Sequence, residues 1–285
     1  MRRRSLFPWL ATLLMSLMAA CSRPATAPGP ESDSGTDAFA REAAREYADA
    51  DYYKPADDTT PDESRRMAPL LLLERLPDRS PDRLAGREAS GDSSAPNDPP
   101  VVYEGRSVAL LRAGAMQQLT HVWRVQRPDA PPRETWRGVR VTLDSRGRPA
   151  IWEVLDERRP ALLFVSRSLE DAAAETHGRP LSRQRFSIER DRSSTLVVRV
   201  LDDGPEPMGP WVYLAAETSH IGTVLCRCMP SQFSNASQTY WYRLAPLEEL
   251  LAARGIDRPT ALTGTDPSRD EPSWLERALR LPPRF

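Results

Sequence analysis

From residue 101 to residue 244 the chain is a succession of short runs rich in Val, Ile, Leu and Trp, each closed by turn-forming residues. That punctuation constrains the fold more than any other feature. Apolar runs too short for a helix bury their side chains most readily as strands. The first expected strands are 101–103, 107–111 and 119–126. Residues 138–143 alternate, with Val139, Val141 and Leu143 on one face, and Asp144-Ser145-Arg146-Gly147 turns the chain into 150–155 as a hairpin. Further strands are expected at 161–165, 186–189, 196–201, 212–215, 223–228 and 239–244.

Helices enter this pattern only locally. Ser168 as N-cap with Asp171 three places later, and Gly178 beyond the last turn, delimit one over 168–177. Others are expected at 247–254, closed by Gly255, and at 273–281. Ahead of residue 101 the spacing of Phe39, Ala43, Tyr47 and Ala50 predicts a helix over 37–50, and the apolar stretch 67–76 predicts a second with Pro69 in its first turn. Residues 77–100 have the composition of a linker. Strict βαβ alternation is absent and no internal repeat is found, so the expected class is α+β: a β-rich, mainly antiparallel sheet with a few short helices.

The N-terminal residues have a different character. Arg2, Arg3 and Arg4 precede an apolar run from Leu6 to Met18, followed by Ala19, Ala20 and Cys21. This is the tripartite form of a secretory signal, too short for a comfortable membrane span. The stretch Leu17-Met18-Ala19-Ala20-Cys21 resembles the lipobox of bacterial lipoprotein signal peptides, with Met18 where Leu is usual. The resemblance implies cleavage before Cys21 and lipid attachment to its thiol. Ser22, rather than Asp, after the cysteine implies the outer membrane, with the protein facing the periplasm of the cell envelope. The expected organisation is therefore a signal peptide at 1–20, a disordered tether at 21–36, an acidic, partly helical and low-complexity segment at 37–100, and a globular β-rich domain at 101–285.

With 39 basic against 40 acidic residues and a net charge of -1, the chain shows no clustered basic stripe of the kind that displaces counterions from phosphates, so no nucleic-acid partner is expected. The stretch 202–232 carries the candidate chemistry. Cys226 and Cys228, two apart on an expected strand, share a face and could hold Zn or Cu(I) with His220 or Met229 completing the shell; an oxidising compartment also permits a thiol-redox role. The plainer reading is a packed strand face, since cysteine behaves as a small buried hydrophobe. His177 is expected at a helix C-terminus, His121 as a hydrogen-bonded core residue beside Trp123 and Val125, and His220 in a loop. Asp202-Asp203-Gly204-Pro205 reads as a turn before it reads as a carboxylate pair. No Gly-x-Ser-x-Gly, Walker, His-Glu-x-x-His or Gly-x-Gly-x-x-Gly signature is present. The expectation is a lipid-anchored envelope protein with a non-catalytic binding or structural domain and no cofactor. Its partners would be the membrane, through the anchor, and an envelope protein or small ligand. The alternative is a metal-binding or thiol-redox protein built on Cys226 and Cys228.

Overall fold

The computed structural model describes residues 49–56, 62–78, 80–86, 99–127, 135–158, 160–182, 184–190, 196–225, 227, 238–271 and 273–285. Its centre is the expected hairpin. Thr135–Leu143 (β6) pairs antiparallel with Pro149–Leu155 (β7), and Gly147, at φ 75°, takes the left-handed conformation the turn requires. In chain order, the strands before it are Ala50–Pro55 (β1), Leu70–Glu74 (β2), Arg83–Leu84 (β3), Val101–Leu111 (β4) and Gly114–Gln126 (β5). Those after it are Ala161–Ser166 (β8), Leu196–Leu201 (β9), Trp211–Leu214 (β10), Ile221–Leu225 (β11) and Gln238–Pro246 (β12). The short candidates at 101–103 and 107–111 are one long strand, and β5 begins earlier than expected. Gly105 and Gly114 interrupt the apolar pattern without interrupting the ladder.

All of these strands belong to a single twelve-stranded sheet in the order β11-β10-β2-β1-β12-β4-β5-β6-β7-β8-β9, with β3 added beside β5. The β-rich α+β class stands, but the sheet is mixed and nearly closed, not mainly antiparallel. β1 runs parallel to β12, β2 to β10, β12 to β4 and β8 to β9. Parallel neighbours need long crossover connections, which leave no local signature comparable to a hairpin turn.

Two expectations before residue 101 are corrected. The run 67–76 is not a helix: Asp62–Met67 (α1) ends before Pro69, and β2 starts immediately after it. Leu71, Leu72 and Leu73 are all at most 2% exposed, as in a strand covered on both faces, which reads in sequence as an unbroken apolar run. The C-terminal end of the helix expected at 37–50 is the start of β1, and the rest of that segment lies outside the described residues. Nor is residue 100 a boundary of the sheet, because β1 and β2 sit in its interior between β12 and β10.

Helices pack on the outer face of the curved sheet. Arg167–His177 (α2) is capped by Ser166, whose hydroxyl accepts from Leu169 N, two residues earlier than the expected Ser168; Gly178 ends it at φ 77°. Glu170 of this helix accepts hydrogen bonds from the backbone amides of Ser187 and Ile188 at 2.7 and 3.0 Å. Those amides are thereby withdrawn from any ladder, and the strand expected at 186–189 is a turn. Leu247–Arg254 (α3), Pro259–Thr263 (α4), the 3₁₀ turn Pro267–Asp270 and Trp274–Ala278 (α5) complete the outer layer. Leu169, Ala173, Leu275 and Leu279 cover Ile151, Leu163 and Val165, while Leu247, Leu250 and Leu262 cover Tyr103 and Val122. The inner face holds the largest core cluster, with Trp123, Trp152, Phe164, Tyr53, Tyr213 and Tyr242 among its members.

Candidate ligand-binding site

One end of the coiled sheet is crossed by the connection between β9 and β10. Its first residues are structural: Asp203 accepts from Ser168 N at 3.0 Å and from Ser168 Oγ at 3.3 Å, anchoring the connection at the start of α2, and Asp202 lies 3.4 Å from Arg167. The Asp pair therefore serves as an anchor to α2: residues 202–204 run without a hydrogen-bonded turn, and the turn expected of Asp202-Asp203-Gly204-Pro205 is not formed. At the far end Gly209 N donates to Arg66 O at 3.0 Å and Leu70 N to Pro210 O at 2.9 Å. A Cβ on Gly209 would overlap the Met67 carbonyl, so only glycine lets the two backbones approach this closely.

Between these anchors the connection bridges a cavity of about 390 Å³. Pro205, Pro207 and Met208 form its outer wall, and Trp152 and Arg148 of the β6–β7 end the opposite one. Arg227, just past β11, closes it. The Arg227 Nη1 donates to Arg66 O at 3.1 Å and Nη2 to Ala68 O. Burial pushes its pKa down; Tyr242 and Tyr52 act in the opposite direction. Among the described residues no carboxylate lies within ion-pair distance of it. Two of the lining residues carry a buried N–H group with no hydrogen-bond partner, Nε of Arg227 and Nε1 of Trp152, the latter residue 4% exposed; both atoms are sealed from solvent and do not open onto the cavity. Buried donors are normally satisfied, and leaving one unpaired costs about 1–3 kcal/mol.

The residues singled out in the sequence lie elsewhere or outside the described residues. Cys21, Cys226 and Cys228 belong to the latter, as does Met229. His220 is in a loop, as expected, with Nδ1 3.4 Å from Asp156 Oδ2. Burial would raise the Asp156 carboxyl, but His220 and Arg158 outweigh it and hold its pKa below the ordinary value. Beside it Ser219, at φ 55°, donates from Oγ to Asp82 at 2.6 Å, and Arg137 Nε donates to Ser219 O at 3.0 Å. His220 thus helps tie the β10–β11 turn to the β7–β8 end. Among the described residues no group of three or more His, Cys, Asp and Glu side chains is placed to hold a metal.

His121 is a fully buried core residue, as expected, opposite Glu104 in the β4–β5 register with Nε2 3.4 Å from Glu104 Oε2. Glu104 also accepts from Ser64 Oγ at 2.9 Å and from Arg106 Nε at 3.3 Å. Burial acts to raise the Glu104 carboxyl, yet His121, Ser64 and Arg106 together bring it down to about 2. The carboxylate sits between the hydroxyl and the imidazole, so the order is not that of a nucleophile activated by a base.

Trp152 and Arg227 were not legible as site residues. Trp152 reads as strand core. Arg227 carries one faint signal, an isolated charge in the apolar stretch TVLCRCM.

Comparison with protein-family models, curated proteins and solved structures finds no match for this chain.

Proposed function

We propose that the chain is a lipid-anchored protein of the bacterial cell envelope, tethered through Cys21 to the outer membrane on its periplasmic side, whose β-rich domain binds a small ligand without transforming it. The anchor rests on the order of charge, apolar run, small residues and cysteine at the N-terminus. The binding role is carried by one observation: a cavity of about 390 Å³, within the size range of small-molecule sites, lined by Pro205, Pro207, Met208 and Trp152 together with Arg148 and Arg227.

The two parts are tested separately. Cys21→Ser abolishes recovery of the protein in the membrane fraction and leaves the larger, uncleaved chain; unchanged fractionation and size would overturn the anchor. The neutral dye Nile red gains fluorescence with the unmodified full chain. Met208→Trp, which fills the cavity from its outer wall, removes that gain while the melting temperature stays within a few degrees. Equal dye response in both proteins would overturn the cavity as the site.

A further inference from the structure

We infer that the free edge of β4 joins two copies of this chain, residues 105–111 of each pairing antiparallel with their counterparts about a two-fold axis at Val108. β12 accompanies β4 only as far as Glu104, whose partner is Pro246, before the chain turns into α3. Over 105–111 the strand pairs with β5 alone among the described residues. Every second residue of that stretch therefore turns its backbone N–H and C=O outward with no neighbouring strand to receive them. The hairpin of β4 and β5 also projects beyond β6, which reaches β5 only at Gln118. An edge thus opens in the middle of the sheet, not at its ends.

Such edges are normally blunted by a proline, a bulge or a central charge. Residues 105–111 contain no proline, their register with β5 is unbroken, and their one charged side chain, Arg106, stands near one end. Ala109 and Leu111 are buried in the cluster under α2 and α5. Val108 and Leu110 point to the opposite face and are 59% and 68% exposed. Their partners across the hairpin, Gln117 and Ala115, are exposed as well.

A strand edge takes an extended chain, and the form of this edge selects its own copy. The free stretch has seven residues with Val108 at its centre. In the two-fold register 105 meets 111, 106 meets 110, 107 meets 109 and 108 meets itself. Neither edge has a residue left over, because β12 on one side and the turn at Arg112 on the other stop the ladder at the same place in both copies. Val108 then packs on Val108, and Arg106 lies opposite Leu110, which its aliphatic stem covers. Charge is complementary at both ends of the ladder. Arg112, exposed and 3.7 Å from Glu276 within its own copy, comes level with Glu104 of the second copy. Two exposed carboxylates stand there: Glu63 Oε1 is 3.8 Å from Arg106 Nη1, and Glu248 Oε1 is 3.5 Å from the place of a Cβ on Gly105. An isologous contact makes this pairing twice. The buried area is at the small end of specific interfaces, so a dissociation constant of about 1–100 µM is expected.

The test is cysteine cross-linking of the full chain in freshly lysed cells, with copper phenanthroline as oxidant and with Cys226→Ser and Cys228→Ser in every chain. Val108→Cys is expected to give a band of twice the chain's mass, since antiparallel partners hold their Cα atoms about 4.5–5.5 Å apart, within disulfide range. Leu110→Cys alone gives none, because about 13 Å of strand separates its two copies. Coexpressed Arg106→Cys and Leu110→Cys chains recover the band. In sedimentation of the purified full chain in mild detergent at about 50 µM, Val108→Lys sets like charges face to face and weakens the dimer at least about 10-fold, with the melting temperature within a few degrees. Cross-linking at 110 equal to that at 108 overturns the register. No band at 108 together with a monomeric unmodified chain at that concentration overturns the dimer. A cross-linked band at any mass other than twice the chain's overturns the second copy as occupant and assigns the edge to a foreign strand.

Discussion

Glu104 shows how a single buried carboxylate ties the fold to pH. Held at about 2 against an ordinary value of 4.5, it binds its proton less readily in the folded chain than in the unfolded one. The stability it contributes is therefore complete above about pH 4.5 and is lost as pH falls towards 2, amounting to about 3 kcal/mol for a displacement of this size. Glu104→Gln is expected to lower the free energy of unfolding by that order at pH 7. In urea denaturation the gap between the two proteins should close between pH 4.5 and pH 2; a gap independent of pH would show that the charge on Glu104 is not what His121, Ser64 and Arg106 stabilise. Gly209 makes the complementary point about space. Its missing Cβ admits the Met67 carbonyl, and backbone cannot retreat as a flexible side chain can. Gly209→Ala is expected to cost about 2–3 kcal/mol. At Gly147 nothing lies within 4 Å of an added Cβ, so alanine there costs only the left-handed backbone, about 1–2 kcal/mol. Thermal denaturation of the two variants should rank them in that order.

At the scale of elements, the outer layer is fastened by charge as much as by apolar contact. Arg140 on β6 and Arg269 on the 3₁₀ turn share Glu153 of β7, at 3.3 and 2.6 Å, and Arg140 also pairs with Asp270. Arg269 Nη2 donates to Val154 O at 2.8 Å, Thr260 of α4 donates to Asp270, and the Arg269 guanidinium lies 4.9 Å from the Trp274 ring centroid. Arg140, Glu153 and Arg269 are buried, so removing the shared carboxylate leaves two guanidinium groups poorly compensated. Glu153→Gln is expected to destabilise by about 3–5 kcal/mol and to open residues 255–270 to limited proteolysis. Asp266→Ala, which removes only an exposed cap on Ser268 N, costs about 1 kcal/mol or less. None of this clasp was visible in the sequence, where Arg140 and Glu153 read as the polar positions of a hairpin. The hairpin itself was legible because period-two alternation and a Gly-containing turn are both local. So were α2, α3 and the largely buried β8, each marked by its own caps or length. The four leucines from Leu70 were misread because a short apolar run fits a helix or a two-sided strand equally well, and the neighbours that decide it, β1 and β10, lie far away in sequence. The cavity was illegible for the same reason: Trp152 on β7 and Arg227, just past β11, come together only once the sheet has coiled.

For the whole molecule the consequence concerns where the folding unit begins. Composition and charge set the segment before residue 101 apart, yet β1 and β2 carry the sheet from β12 to β10. β12 is the hinge of this arrangement: its first half runs parallel to β1, from Gln238 to Tyr242, and its second half parallel to β4, from Arg243 to Pro246. A chain starting at Val101 would keep the β4–β9 ladder but leave the first half of β12 and the inner side of β10 without neighbours. It would also uncover Tyr213 and Tyr242, both fully buried in the intact sheet. Unpaired edges with exposed aromatic side chains are templates for association. The fragment 101–285 is therefore expected to aggregate or to lose its cooperative thermal transition, whereas 37–285 melts as one unit. Far-ultraviolet circular dichroism and size-exclusion chromatography of the two chains decide the matter. A monomeric, cooperatively melting 101–285 would mean that β10 and β12 find other partners, and with them a different floor for the cavity that Arg227 closes.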